Sequence, residues 1–158
     1  MANTQSLCTS FMGELMTATH NFGTAPTRGS GAADSFKAAL YLTTATVNAA
    51  TTAYSASNEV SGTNYVAGGV AVTIATPPTA TNSSATAGVA FFTPSASIVY
   101  TNVTLSTAFD AVLIYNSTQA DKAVSVHTFG SQTITAGTFT LTMPANTTAA
   151  ALIRLATT

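Results

Sequence analysis

Charge is what this chain has least of. Four Lys or Arg and five Asp or Glu account for 6% of its residues, against roughly 25% in an average soluble domain. General acid–base and electrostatic catalysis draw on such groups, so little is at hand for building an active site, and an enzyme is not expected. The cations Arg28, Lys37, Lys122 and Arg154 are scattered along the sequence. A nucleic-acid footprint would need them clustered, so nucleic acid is not an expected partner. Cys8 is the single cysteine, which excludes an intrachain disulfide. With only two histidines beside it, four zinc ligands cannot be assembled without borrowing carboxylates. Cys8 is expected as a small buried apolar residue. No apolar run approaches the roughly 18 residues that span a bilayer, and the opening MANTQSLCTSFMGELM has neither a basic n-region nor a long apolar h-region. The expectation is a chain made in the cytoplasm with no membrane partner, no metal and no cofactor.

What fills the space is alanine and threonine, with serine and asparagine. Hydrophobic residues reach 46%, mean hydropathy is +0.34 and the formal net charge is −1. Copies of such a chain repel one another weakly. Covering alanine and threonine with a partner also costs less than covering lysine or glutamate. The composition therefore points to a surface that is buried in an assembly.

The 158 residues suit a single domain with a continuous core. Within 1–22, Leu7, Phe11 and Leu15 recur at helical spacing, joined by Cys8, Met12 and Met16. They predict a short amphipathic helix over about Gln5–Thr19, either a lid on the end of a sheet or an arm that docks on a neighbouring subunit. His20 follows it and would cap its C-terminus. Residues 23–35, beginning GTAPTRGSGAA, read as a flexible loop. From 36 to 158 the pattern is strand-like. Strands are predicted near Phe36–Leu42, Val70–Ala75, Val89–Phe92, Ser97–Leu105, Ala111–Tyr115, Ala123–Phe129, Gln132–Thr135, Thr138–Met143 and Leu152–Leu155. The fold class is all-β, an antiparallel β-sandwich or jelly roll with a short N-terminal α-helix. Val124–Phe129 and Thr138–Met143 alternate strictly, so each should bury one face and show serine or threonine on the other. The polar stretch from Asn116 to Lys122 should close an antiparallel hairpin. Gly68-Gly69 lacks the lysine and helix start of a phosphate loop and should form a tight turn. Pro77–Gly88 reads as an exposed loop.

Nucleophilic catalysis would need a base beside serine, threonine or cysteine, and only His20 and His127 could be histidine bases. Neither lies in a catalytic motif, and His127, on the strand face opposite Val126, reads as a surface or interface residue. The acids Glu14, Glu59, Asp34, Asp110 and Asp121 are well separated in sequence, without a paired-carboxylate signature. Lys37 in FKAALYL and Arg154 in ALIRLA stand inside apolar runs and should point outward. Paired with Asp110, Asp121 or Glu59 of a neighbouring copy, they would set the register of a subunit contact.

Several stretches together resemble the small structural proteins of tailed bacteriophages: ANTQSLCTSFMGELM followed by HNF, DSFKAALYLTTATVNAATTAYSASNEVSGTNYVAGG, AVLIYNSTQADKAVSVHTFG, and GTFTLTMP followed by AALIRLA. The resemblance covers most of the chain. It implies a virion component made in the host cytoplasm, with a head decoration or cement protein as the leading form: a small β-sandwich, often trimeric, that binds the major capsid protein lattice. Candidate subunit contacts are Phe11, Leu15, Arg28, Lys37 and Arg154. The alternative is a tail, collar or fibre module that binds a host glycan by stacking Tyr54, Tyr65, Tyr100 or Tyr115 on sugars. From another class altogether, a cytoplasmic enzyme or enzyme inhibitor would be absent from purified particles.

Overall fold

The computed structural model describes residues 2–16, 18–23, 33–81 and 88–156. Arg28, most of the predicted 23–35 loop and the middle of the Pro77–Gly88 loop lie outside these. The chain is all-β and antiparallel with one short helix, in the order β1 (Ser6–Leu7), α1 (Thr9–Met16), β2 (Phe36–Leu42), β3 (Val70–Val72), β4 (Thr79–Thr81), β5 (Val89–Phe92), β6 (Ile98–Asn116), β7 (Lys122–Leu141) and β8 (Ile153–Ala156). It divides into two compact units, one of Met1–His20, Asp34–Val72 and Ile98–Thr140, the other of Asn21–Ala33, Thr73–Ser97 and Leu141–Thr158.

The first unit is built on a five-stranded sheet in the order β1-β7-β6-β2-β3. β2 lies between β6 and β3, with Ala38 opposite both Ile114 and Val70. It buries Phe36 and the whole run Ala38–Tyr41, so FKAALYL is apolar on both faces because both faces are covered. The Gly68-Gly69 turn feeds β3 as predicted. Both glycines have positive φ, 86° and 74°, and a Cβ on Gly69 would lie 1.7 Å from the Ala38 carbonyl oxygen, so only glycine lets the chain pass here. The predicted hairpin is also present. β6 and β7 are sheet neighbours joined by a turn over 117–121, with Ala120 and Asp121 at positive φ.

Five of the predicted strands merge into two. β6 runs 19 residues and β7 runs 20, yet neither is straight. Phe129 and Phe139 have ring centroids 5.2 Å apart, whereas ten residues of straight strand would separate them by about 33 Å. β7 therefore turns back on itself, in the stretch where Ala136 has positive φ and donates its N–H to Thr104 Oγ1. β6 bends as well. Tyr100 and Phe109 both reach Phe139, at 6.1 and 5.2 Å. Tyr100 Oη donates to the carbonyl of Ala38, the residue paired with Ile114. Glycine and asparagine in these runs mark bends within a continuous ladder and not the ends of strands.

The N-terminal segment belongs to this core. The helix is shorter than predicted because Ser6 and Leu7 pair instead with Val126 and Ser125 of β7, and the backbone N–H groups of Thr4, Cys8 and Thr9 donate to Val47, Val124 and Ala49. Phe11 and Cys8 are fully buried. Burial pushes the Cys8 thiol up to about 11, so it is an inert apolar residue. The segment is thus tied to the sheet of its own chain through β1 and through Phe11 and Cys8.

In the second unit β4, β5 and β8 form a three-stranded sheet. β4 lies in the predicted Pro77–Gly88 loop, with Thr79 opposite Phe91 and Thr81 opposite Val89. On β8, Arg154 is exposed as expected and pairs in register with Phe91.

Candidate functional site

Several of the scarce ionisable groups of the first unit are drawn together into two clusters. At the first, Asn116 ends β6 and is fully buried. Its Oδ1 accepts the N–H groups of Thr118 and Gln119, at 3.1 and 3.2 Å, which fixes the start of the hairpin turn. Its Nδ2 then faces inward, 2.7 Å from Asp34 Oδ2 and 3.1 Å from His20 Nδ1. Asp34 Oδ1 accepts from Gln119 Nε2 at 3.0 Å. The other ring nitrogen of His20 is 2.7 Å from Glu14 Oε2, and Lys122 Nζ is 2.6 Å from Glu14 Oε1. A continuous path thus runs Lys122, Glu14, His20, Asn116, Asp34. Burial alone would raise the Glu14 carboxyl, but hydrogen bonds from Lys122 and His20 outweigh it and hold the group below its usual range. His20 is therefore a buried member of this path, between Phe11 and Phe36, while the N–H groups of Ala18 and Thr19 donate to the carbonyls of Leu15 and Glu14 at the end of the helix.

The second cluster collects all five tyrosines around Glu59. Glu59 Oε2 accepts from Tyr54 Oη at 2.6 Å, and Oε1 accepts from Tyr65 Oη at 2.7 Å and from Gly68 N at 2.8 Å. Tyr54 stacks on Tyr115 at 4.8 Å and Tyr65 on Tyr100 at 5.9 Å. Tyr115 donates to the Gly68 carbonyl and Tyr41 to that of Ser55. Tyr41, Tyr100 and Tyr115 are buried, and Tyr54 and Tyr65 are half-buried. The rings that sugar stacking would require on an open face are engaged with one another.

One pairing has the look of catalysis. Ser125 Oγ and His127 Nε2 are 2.9 Å apart. The alternation read from the sequence fails here, because Ser125 is fully buried beside Val124 and Val126, its hydroxyl satisfied by the imidazole two residues on. His127 is half-buried, not a surface residue, and burial pushes its pKa down to about 4. A histidine held neutral by burial and a fully buried serine form a packing pair. In Thr138–Met143 the alternation holds, with threonines exposed and Phe139, Leu141 and Met143 half-buried.

The second unit has an open cleft of about 380 Å³ lined by Thr76, Thr93, Ser95, Ser97, Met143 and Asn146 among others. Among the described residues, no ionisable side chain lines it. Its hydroxyls serve the backbone: Ser95 Oγ accepts from the N–H groups of Ala75 and Thr76, and Thr93 Oγ1 from that of Leu152.

Of the residues proposed as subunit contacts, Arg28 lies outside the described residues and the other four fall in different settings. Phe11 is interior and Leu15 half-buried; Lys37 is half-buried on β2 opposite Tyr115, and Arg154 stands exposed on β8. Of the acids offered as their partners, Glu59 holds tyrosines and Asp110 Oδ1 accepts from Asn3 at 2.6 Å. Among the described residues, Lys37, Asp121 and Arg154 make no ion pair, and no three of His, Cys, Asp and Glu gather to hold a metal. No helix is long and apolar enough to cross a membrane. Sequence reasoning missed Asn116, whose one local signal was its place at the head of the polar turn. Comparison with protein-family models, curated proteins and solved structures finds no match.

Proposed function

We propose that the chain is a non-enzymatic subunit of a multi-copy shell, in its most specific form a head decoration or cement protein of a tailed bacteriophage. The carrying observation is where its few charges go. Glu14, Asp34, Glu59, Asp110 and Lys122 are tied into internal hydrogen bonds, while outward strand positions such as Thr101, Thr133, Thr138 and Thr140 are uncharged. A surface of this kind can be covered by neighbours at low desolvation cost. Lys37, Asp121 and Arg154, which make no ion pair among the described residues, would supply polar register with the major capsid protein or with other copies in a homo-oligomer, a trimer in the leading form.

The mechanism is mass action. A subunit that binds only the assembled lattice stabilises it at each occupied site, by about 2.7 kcal/mol when its free concentration is 100 times Kd. Quantitative mass spectrometry of purified particles, scaled to the major coat protein, tests the reading. Copy numbers comparable to the coat protein are expected. A handful of copies would move the chain to the tail or collar, and its absence would overturn a virion role.

A further inference from the structure

The cleft of the second unit carries hydrogen-bonding capacity that the fold does not use. One side is formed by residues 93–97, which follow β5, and the other by Met143, Pro144 and Asn146, beyond the end of β7. Backbone bonds hold both sides. The N–H of Ser95 donates to the Thr73 carbonyl at 2.9 Å, and that of Ala151 to the Thr147 carbonyl at 3.0 Å. Pro94 is buried and Met143 and Pro144 are half-buried, while Ser95, Ser97 and Asn146 are exposed, so the cleft is apolar toward its floor and polar at its rim. A hydroxyl has two acceptor positions and one donor. Both acceptor positions of Ser95 Oγ are filled, by the N–H groups of Ala75 at 2.6 Å and Thr76 at 3.1 Å, which leaves its proton to donate. Among the described residues, the Ser97 hydroxyl and the Asn146 side-chain amide make no hydrogen bond. The rim therefore offers donors and acceptors side by side.

We propose that this cleft is a binding site for a neutral sugar. A pyranose has the same division: a C–H face that can lie on Pro94, Met143 and Pro144, and a belt of hydroxyls, each a donor and an acceptor, that can meet Ser95, Ser97 and Asn146. The volume of about 380 Å³ falls at the lower end of the roughly 300–1,000 Å³ of small-molecule sites, which suits a mono- or disaccharide. Neutrality follows from the lining. Among the described residues no ionisable side chain is part of it, so a carboxylate or ammonium on the ligand would leave water with no counter-charge to meet it. Proline and methionine here take the place of the tyrosines, which are engaged with one another in the first unit. The site goes beyond the proposed shell role and does not depend on it.

Nuclear magnetic resonance of the full chain, titrated with the methyl glycosides of glucose, galactose and mannose and with N-acetylglucosamine, tests it. At least one of these should give saturable shifts of the Met143 methyl and the Asn146 side-chain NH2 signals, and the uronate and amino-sugar counterparts of that sugar should bind more weakly. Asn146→Ala and Ser97→Ala should each weaken binding about two- to tenfold, the worth of one neutral hydrogen bond. Neither side chain bonds within the described fold, so both variants should keep it. No saturable shift with any of the four sugars, shifts that leave Met143 and Asn146 unmoved, tighter binding of a charged counterpart, or full affinity in both variants would each overturn the site. The titration and the charge comparison are read on the wild-type protein, so the test survives a variant that does not fold.

Discussion

Lowering the pH should weaken this fold through His127. Its imidazole is half-buried against the fully buried Ser125, and burial drops its pKa from the ordinary 6.5 to about 4. In the unfolded chain the same group protonates near 6.5. Between those values the unfolded state binds a proton that the folded state refuses, so the stabilisation is complete above pH 6.5 and drains away as pH falls toward 4. At about 1.4 kcal/mol per unit the loss is roughly 2 kcal/mol by pH 5 and about 3 kcal/mol by pH 4, a sizeable part of the 5–15 kcal/mol typical of a domain. Urea unfolding at pH 7, 6, 5 and 4, for wild type and His127→Gln, isolates this contribution. Glu14, whose carboxyl is held low, also costs stability in acid, and His20 is common to both proteins, so both cancel in the difference. The wild-type curve should fall more steeply by the stated amount. Parallel curves would refute the assignment of His127 as a histidine buried in its neutral form.

Three further outcomes follow from the packing. Burial first, and Glu59 second for most of them, pushes the tyrosines up, Tyr41 and Tyr115 to about 12 and Tyr54, Tyr65 and Tyr100 higher still. Unfolded phenols ionise near pH 10, so stability holds below that value and is lost above it. Ultraviolet titration should show phenolate appearing together with loss of the circular dichroism of the fold, and a gradual five-proton titration centred on 10 in an intact fold would contradict the cluster. Gly69→Ala places a methyl against the Ala38 carbonyl at a φ of 74° and should cost more than about 3 kcal/mol or abolish folding, measured by urea midpoint. Phe11→Ala should cost about 3–5 kcal/mol, as a core truncation does; a loss under 1 kcal/mol would restore the N-terminal segment to the status of a surface arm.

Much of the architecture was legible in the sequence because its signals are local. β2 and β5 have the predicted ends, and the Gly68-Gly69 turn and the Asn116–Lys122 hairpin are where glycine and polar residues place them. The misreadings share one cause: each was decided by a partner distant in sequence. Ser6 and Leu7 left the helical stripe because β7 offered them a ladder. Thr79–Thr81 became a strand despite Pro77-Pro78 because Val89–Phe91 lay across from it. Ser125 broke the alternation because His127 satisfied its hydroxyl.

The internal clusters were illegible for the same reason, and they bear on why so few charges suffice. Glu14 and Lys122 lie 108 positions apart, and Asn116 and His20 lie 96 apart, so no spacing rule could join them. In a chain with abundant surface charge such pairs would be a minor fraction of the total. Here they hold most of the carboxylates. Each buried polar contact also leaves a penalty of about 1–3 kcal/mol if one partner is removed, so the contacts specify the fold more sharply than interchangeable alanines and threonines could. Threonine-rich strand faces and half-buried charges held by internal hydrogen bonds are then two sides of one arrangement. The outside stays uniform enough to be covered by copies or partners, and the directional information is kept where Asn116 and Glu59 can fix the turn and the tyrosines against the sheet.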